Sequence, residues 1–360
     1  MKATAAIMLM TIVVVAAGCQ KEPIENANKS SDYVNLGLPS GTLWATCNIG
    51  SLSSNENGGY FAWGETSAAI KNEYNWSTYK FYKGPYIDID QTNPNSANTF
   101  SKNTTKYYYY EDGGNLVTDG LTILERIDDA ANVNWGADWC MPTEEQMEEL
   151  IDPDYTSSKF IMEPRGLLVT SKINGETLFM PAAGERINRD VYYGTQESYY
   201  GKYYTSSIAL GAPGNHCSDA RALYFFNSSE TGGLSHAFDT TNNQNTYSIS
   251  KDYLWGDIKL RRDTATQQIN VTIENFMYNQ LNISGIDTTF VLNNEVTVNM
   301  NGKPDKSNHV TFRDISVTFK KEQKEKQVTV SVSIIQQKTN AYVGEARRCY
   351  GRSVRPIRVK

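Results

Sequence analysis

From about Thr264 to Gln337 the chain alternates apolar and polar residues in four runs, INVTIENF, FVLNNEVTVNM, HVTFRDISVTF and QVTVSVSII. A period of two sends successive side chains to opposite faces, so each run predicts a half-buried strand of an antiparallel sheet. Thr and Val, which suit a pleated surface, are enriched in them. Asn301-Gly302 and Lys321–Lys326 supply turns. The runs predict a small all-β antiparallel domain over residues 264–338, a sandwich or meander. On both sides the texture is different: Gly, Asn, Ser and Thr break the chain into short apolar runs, as in loop-rich β structure. Two similar segments flank the alternating region, YLWGDIKLRR (Tyr253–Arg262) and CYGRSVRPIR (Cys349–Arg358). Each runs aromatic, Gly, then alternating apolar and basic residues. Either could supply the closing strand of the surrounding chain. If the second closes it, residues 32–263 and 339–360 form one domain and the β segment is inserted before its last strand. If the first closes it, the β segment is a C-terminal appendage.

Helix is scarce. The clearest helix is Pro142–Ile151, with Thr143 as N-cap and Gln146 three residues later completing a capping box. Met147, Leu150 and Ile151 fall on one face, and the early acids suit the helix dipole. A shorter helix is expected over Leu121–Ala131. Strands are expected at Thr42–Thr46, Leu167–Ser171, Thr177–Met180 and Ala222–Phe226. LLVTSKINGETLFM reads as a hairpin with Asn174-Gly175 as a two-residue turn.

The N-terminus carries a different signal. Met1-Lys2 precedes a short apolar run that ends in VAAGC. A basic start, a short apolar stretch and small residues before a cleavage point predict a secretory signal over residues 1–18. The run is short for a membrane span, which needs about 20 apolar residues. VAAGC resembles a bacterial lipobox, so Cys19 is the expected lipidation site and the expected membrane attachment is the lipid alone. Residues 19–31 read as a polar tether. The four remaining cysteines, Cys47, Cys140, Cys217 and Cys349, allow two disulfides in three connectivities, or four free thiols. The net charge is −6. It gives no reason to expect a nucleic-acid partner, which needs a concentrated basic surface.

Seven motifs in order carry a family resemblance: DYVNLGLPSGTLWATCNIG (Asp32–Gly50), YFAWGET (Tyr60–Thr66), DDAANVNWGADWCMPTEEQMEELI (Asp128–Ile151), LFMPAAGER (Leu178–Arg186), YYTSS (Tyr203–Ser207), ALYFFNSS (Ala222–Ser229) and the terminal YGRSVRPIR. This set resembles the Fibrobacter succinogenes major paralogous domain family of secreted bacterial proteins. The pattern departs at Cys140, where the family commonly has Arg, and in tyrosine-rich insertions such as Tyr107–Tyr110. The resemblance implies an α+β, C-type-lectin-like fold related to the formylglycine-generating enzymes. It also implies that the first and last strands pair, which favours Val354–Arg358 as the closing strand. Together with the lipobox and the QKEP that begins at Gln20, it implies an outer-membrane lipoprotein facing the cell surface.

No catalytic residues are expected. The related oxidases rely on a closely spaced Cys pair, and none exists here. His216, His236 and His309 are scattered, and His216-Cys217 lies in a loop-like string. No nucleotide or hydrolase fingerprint stands out. The calcium-ligand triplets of C-type lectins are missing, with Glu163-Pro164-Arg165 the nearest approach. No metal or cofactor is therefore expected. Asp239-Thr240-Thr241, Asp263-Thr264-Ala265 and Asp287-Thr288-Thr289 resemble bacterial O-glycan acceptors. What remains is VYYGTQESYYGKYY (Val191–Tyr204), with six tyrosines: Tyr192, Tyr193, Tyr199, Tyr200, Tyr203 and Tyr204. Tyr among Gly and Ser offers broad amphipathic contact at low entropic cost, and its ring faces can stack on sugars. These six are the expected contact residues of a noncatalytic recognition module for a glycan or protein. The alternative is a structural or accessory subunit of an envelope or pilus-like assembly, and an enzyme comes third.

Overall fold

In the computed structural model of the chain strand prevails, at 55% against 9% helix, in several antiparallel sheets. The structure describes residues 33–68, 73–84, 100–195, 198–210, 217–230, 236–239, 244–251, 254–263, 265–278, 281–282, 288–301, 310–325 and 327–358. The expected signal segment, Cys19 and the tether lie outside these residues, as do His216, Thr240, Thr241, Thr264, Asp287 and His309. Among the described residues no helix is long and apolar enough to cross a membrane.

A small sheet joins the two ends of the described chain. Its order is Tyr33–Asn35, Leu43–Ala45, Ile357–Arg358, Trp139–Cys140. Trp44 pairs with Ile357, and Ile357 in turn with Cys140. The terminal segment thus takes the closing place. Its rival Leu254–Arg262 pairs with Gln244–Lys251 and Ile269–Tyr278 in a separate five-stranded sheet. Residues 244–262, expected with the first domain, are therefore part of the β region's own sheet.

The largest sheet has seven strands. Its path runs Gly194–Thr195, Ser198–Ile208, Asp219–Glu230, Gln327–Arg347, Val310–Lys324, Glu295–Asn301, with His236–Asp239 also paired to Gln327–Arg347. The strand Gln327–Arg347 passes through residues 338 and 339 unbroken, joining the alternating region to the aromatic one. Its first half pairs with Val310–Lys324 and its second half with Asp219–Glu230 as well. The alternation places Val328, Val330, Val332 and Ile334 on one buried face with Ile315, Val317 and Phe319. They pack against Ile258, Leu260, Val271 and Ile273 of the five-stranded sheet. The two sheets therefore share one dry core, as half-polar strands require.

Local expectations meet local physics. The helix spans Glu144–Leu150, with Thr143 as N-cap in a reciprocal capping box with Gln146. Met147 and Leu150 are buried, over a cluster with Trp44, Leu167, Leu178 and Phe225. The helix expected over Leu121–Ala131 is instead a 3₁₀ turn at Arg126–Asp128 followed by a helix at Ala130–Trp135. The reason is Asp129, whose carboxylate caps Ala131 and Asn132 and starts the helix there. Upstream, the backbone of 122–124 is committed to Ser206 and Ile208. The hairpin Arg165–Ser171 with Thr177–Pro181 forms, and Thr170 pairs with Thr177. Its turn is wider than two residues, because Ser171 N–H bonds Glu176 O and Gly175 N–H bonds Ser171 O. Cys47, Cys140, Cys217 and Cys349 are all free thiols.

Three arginines of the closing segment, Arg348, Arg352 and Arg355, are at most 2% exposed. Arg348 donates to Tyr79 Oη (3.0 Å), Tyr107 O (2.8 Å), Cys217 O (2.7 Å) and Lys106 O (3.0 Å). Its guanidinium also lies 4.7 Å from the Trp63 ring centroid. Arg355 donates to Asn48 Oδ1 (2.8 Å) and Ala45 O (3.0 Å). Removing Arg348 strands four acceptors in a dry core. Each stranded acceptor costs about 1–3 kcal/mol. Arg348→Met is expected to lower stability by about 3 kcal/mol or more in urea unfolding. The half-buried neighbour variant Arg347→Met is expected to cost less than about 1 kcal/mol. Equal costs would show that the buried fork contributes nothing special.

Candidate functional site

The strand Ser198–Ile208 carries four of the six tyrosines and divides them between two faces. Alternation sends Tyr200, Lys202 and Tyr204 to one side and Tyr199, Gly201 and Tyr203 to the other. Tyr203 is fully buried against Phe225, with ring centroids 5.9 Å apart. Its hydroxyl donates to Pro181 O (2.8 Å) and accepts from Asn48 Nδ2 (3.0 Å). Tyr204 is also fully buried, donating to Arg347 O and Tyr350 O and accepting from Arg352 Nη1 at 2.6 Å. For these two the expected ligand contact is corrected: they are core residues whose phenols are spent inside. Tyr199 is half-buried on the reverse face, with the Arg165 guanidinium 4.1 Å from its ring centroid. It does not share a surface with Tyr200.

Tyr192 and Tyr193 remain exposed, at 47% and 42%. The backbone of this segment is tied to Tyr200 directly and through Gly184. Tyr200 N–H bonds Tyr193 O at 3.1 Å, and Gly184 N–H bonds Tyr200 O at 3.0 Å. Gly184 has φ +64°, and a Cβ there would sit 2.0 Å from Tyr192 O, so the close approach demands glycine.

The sheet register then adds residues that the sequence does not group. Lys202 pairs with Tyr224, and Tyr224 with Tyr342. The Tyr224 and Tyr342 rings stack 5.3 Å apart and nearly parallel, at 4°. Lys202 Nζ lies 4.8 Å from the Tyr200 centroid and 5.0 Å from that of Tyr224. It donates to Glu185 Oε1, while Arg352 Nη2 donates to Glu185 Oε2 at 2.6 Å. The result is an aromatic recess in which half-buried Tyr200 and Tyr224 flank one ammonium, Tyr342 stacks on Tyr224 and Tyr350 lies against the Arg352 guanidinium, beside the buried Glu185 carboxylate.

Electrostatics follow from burial. Desolvation pulls the Lys202 pKa below its ordinary value, with Arg352 adding to the effect and Glu185 opposing it. Burial pushes Tyr200 and Tyr224 up to about 12, with Glu185 contributing to both. Tyr204 lies well above the usual phenol range, chiefly through burial.

Other chemistry is thinly represented. Among the described residues no group of three His, Cys, Asp or Glu comes together as a metal site. A cleft of about 360 Å³ opens beside the closing strand and is lined by Thr42, Ile123, Arg126, Asp129, Cys140 and Arg358, among others. Burial pushes the Cys140 thiol up to about 12. Asp129 is committed to the N–H groups of Ala131, Asn132 and Met141. Thr42 is committed to Ser40 and Gln146. Asp129 and Thr42 are thus already spent on partners within the protein. Comparison with protein-family models, with curated proteins and with solved structures finds no match for this chain.

The tyrosines give an alkaline signature. Tyr74, Tyr107, Tyr200, Tyr203 and Tyr224 are each raised to about 12 from 10. A phenol raised on folding keeps its proton where the unfolded chain loses it. Its contribution is complete below pH 10 and disappears between about pH 10 and 12. The urea midpoint is expected to hold to pH 9.5 and then fall steeply, with tyrosinate absorbance at 295 nm rising as near-UV dichroism collapses. The full tyrosinate change, buried phenols included, complete near pH 10 with the dichroism intact would refute this.

Proposed function

We propose that the chain is a lipid-anchored outer-membrane protein, exposed on the cell surface, with a C-type-lectin-like body that recognises a glycan or protein without catalysis. Cys19 is the lipidated residue and the lipid its only membrane attachment. The pairing of Leu43–Ala45 with Ile357–Arg358 supports the lectin-like reading, because such folds bring their first and last strands together. The single observation that carries recognition is the aromatic recess. Its tyrosines stand on a paired sheet, with ring surface beside polar groups, and binding there would order few side chains. Tyr192, Tyr193 and Tyr200 are the contacts kept from the sequence reading, joined now by Lys202, Tyr224 and Tyr342. The chain's acidity argues against nucleic acid as the partner.

A structural subunit is the second reading. The strand Glu295–Asn301 stands at the end of the seven-stranded sheet, and a terminal strand can be extended by a partner's strand. The two readings separate in one experiment. The full chain, solubilised in detergent, is screened against host and dietary glycans beside Tyr200→Ala and Tyr199→Ala. Binding is expected to weaken about 10-fold for Tyr200→Ala and to change little for Tyr199→Ala, which lies on the reverse face. A folded parent that binds no glycan and co-purifies with a second envelope protein would favour assembly.

A further inference from the structure

The recess holds more positive than negative charge. Lys202 and Arg352 share one carboxylate, Glu185, each taking one of its oxygens. Among the described residues neither cation forms another ion pair. Among the described residues Asp219 also acts on Tyr224 and Arg347 on Tyr350, and these two are of opposite sign. The phenols contribute no negative charge at neutral pH, since Tyr200 and Tyr224 stay protonated to about 12. One positive charge is left over.

The leftover charge is on the accessible member. Arg352 is 2% exposed in its side chain, whereas Lys202 is 19% exposed. An ammonium has three donors. Glu185 takes one, and the Tyr200 and Tyr224 rings flank the rest. Ring faces attract a cation but accept hydrogen bonds weakly, so they replace water incompletely. An anion reaching Lys202 would neutralise the surplus charge in a site of reduced dielectric, where an ion pair is worth more than in water.

We propose that the ligand of this recess is an acidic saccharide, a pyranose stacked on the tyrosine rim with its carboxylate or sulfate at Lys202 Nζ. The inference rests on the recognition reading and narrows its ligand class. Neutral sugars would stack but leave the charge unmatched.

The test compares trigalacturonate with its methyl ester, which keeps the rings and removes the charge, and with a 6-sulfated galactose trisaccharide. Calorimetry uses the full chain in detergent, next to Lys202→Gln. The acid is expected to bind at least 10-fold tighter than the ester, with Lys202→Gln bringing the acid down to the ester's level. The sulfated sugar distinguishes sulfate from carboxylate as the favoured anion. In the parent, the Lys202 Cε resonance is expected to shift on adding acid and not ester, a readout that does not require the variant to fold. Equal binding of acid and ester would overturn the charge inference and leave recognition standing. An acid preference that survives Lys202→Gln, with no shift at Lys202, would move the anion site elsewhere. Failure of every saccharide, neutral or acidic, would remove the recognition reading as well.

Discussion

The burial of three guanidiniums between residues 348 and 355 is the constraint on which the aromatic half of the molecule depends. A buried charge is costly unless its donors are filled. Here most of them are filled by groups from far along the chain, with Arg352 Nε and Arg355 Nη2 the buried exceptions. Arg355 reaches Ala45 and Asn48, Arg352 reaches Glu185 and Tyr204, and Arg348 reaches residues 79, 106, 107 and 217. Each fork bonds groups at two or more positions that are distant from it in sequence. The closing segment therefore acts as an internal scaffold as much as a strand. Only Arg352 has a carboxylate partner within ion-pair distance among the described residues. The other two rely on carbonyl and amide oxygens, phenols and ring faces.

That reliance gives the abundant tyrosines a job inside the protein. Tyr79 accepts from Arg348 and donates to Trp63 O at 2.8 Å, and Tyr204 plays the same double role for Arg352 and the carbonyls of Arg347 and Tyr350. A phenylalanine would pack as well but leave a buried N–H without an acceptor. Around Arg348 the rings of Trp63, Tyr107 and Phe81 meet edge to face, at 5.0 Å and 5.4 Å. Such pairs add about 0.5–1.5 kcal/mol beyond area burial. Tyrosine is thus the residue by which a loop-rich core holds cations. Those left with open ring surface are where binding chemistry is to be sought.

This double use explains why the fold was more legible in the sequence than the site. Period-2 alternation reads directly as strands, and Thr143 with Gln146 reads directly as a helix start, because both signals are local. The displacement of the second helix to Ala130 was also local in cause, but Asp129 as cap was masked by the apolar spacing of Leu124 and Ile127. The tyrosine string could not be sorted into core and surface by composition. One residue of register separates Tyr199 from Tyr200, and it is set by pairing with Phe226 more than twenty positions away. Tyr224, Tyr342 and Glu185 come from three further segments and share no motif with Lys202. The unusual word in the sequence was Lys202 itself, a lone cation between two tyrosine pairs. Its meaning depends on a carboxylate that only the fold brings to it.

The long strand Gln327–Arg347 shows why the recess is a stiff surface. Its early residues are clamped in the sandwich core, where Val330 and Val332 are at most 1% exposed. Its later residues carry Tyr342 beside Tyr224 and end in the peptide that binds Tyr204. Up to Ala341 the strand has partners on both sides, and Tyr342 follows directly in register with Tyr224. The stacked tyrosines therefore inherit their spacing from the whole sheet. A site built in this way loses little entropy when a ring stacks on it, so modest contacts suffice for affinity.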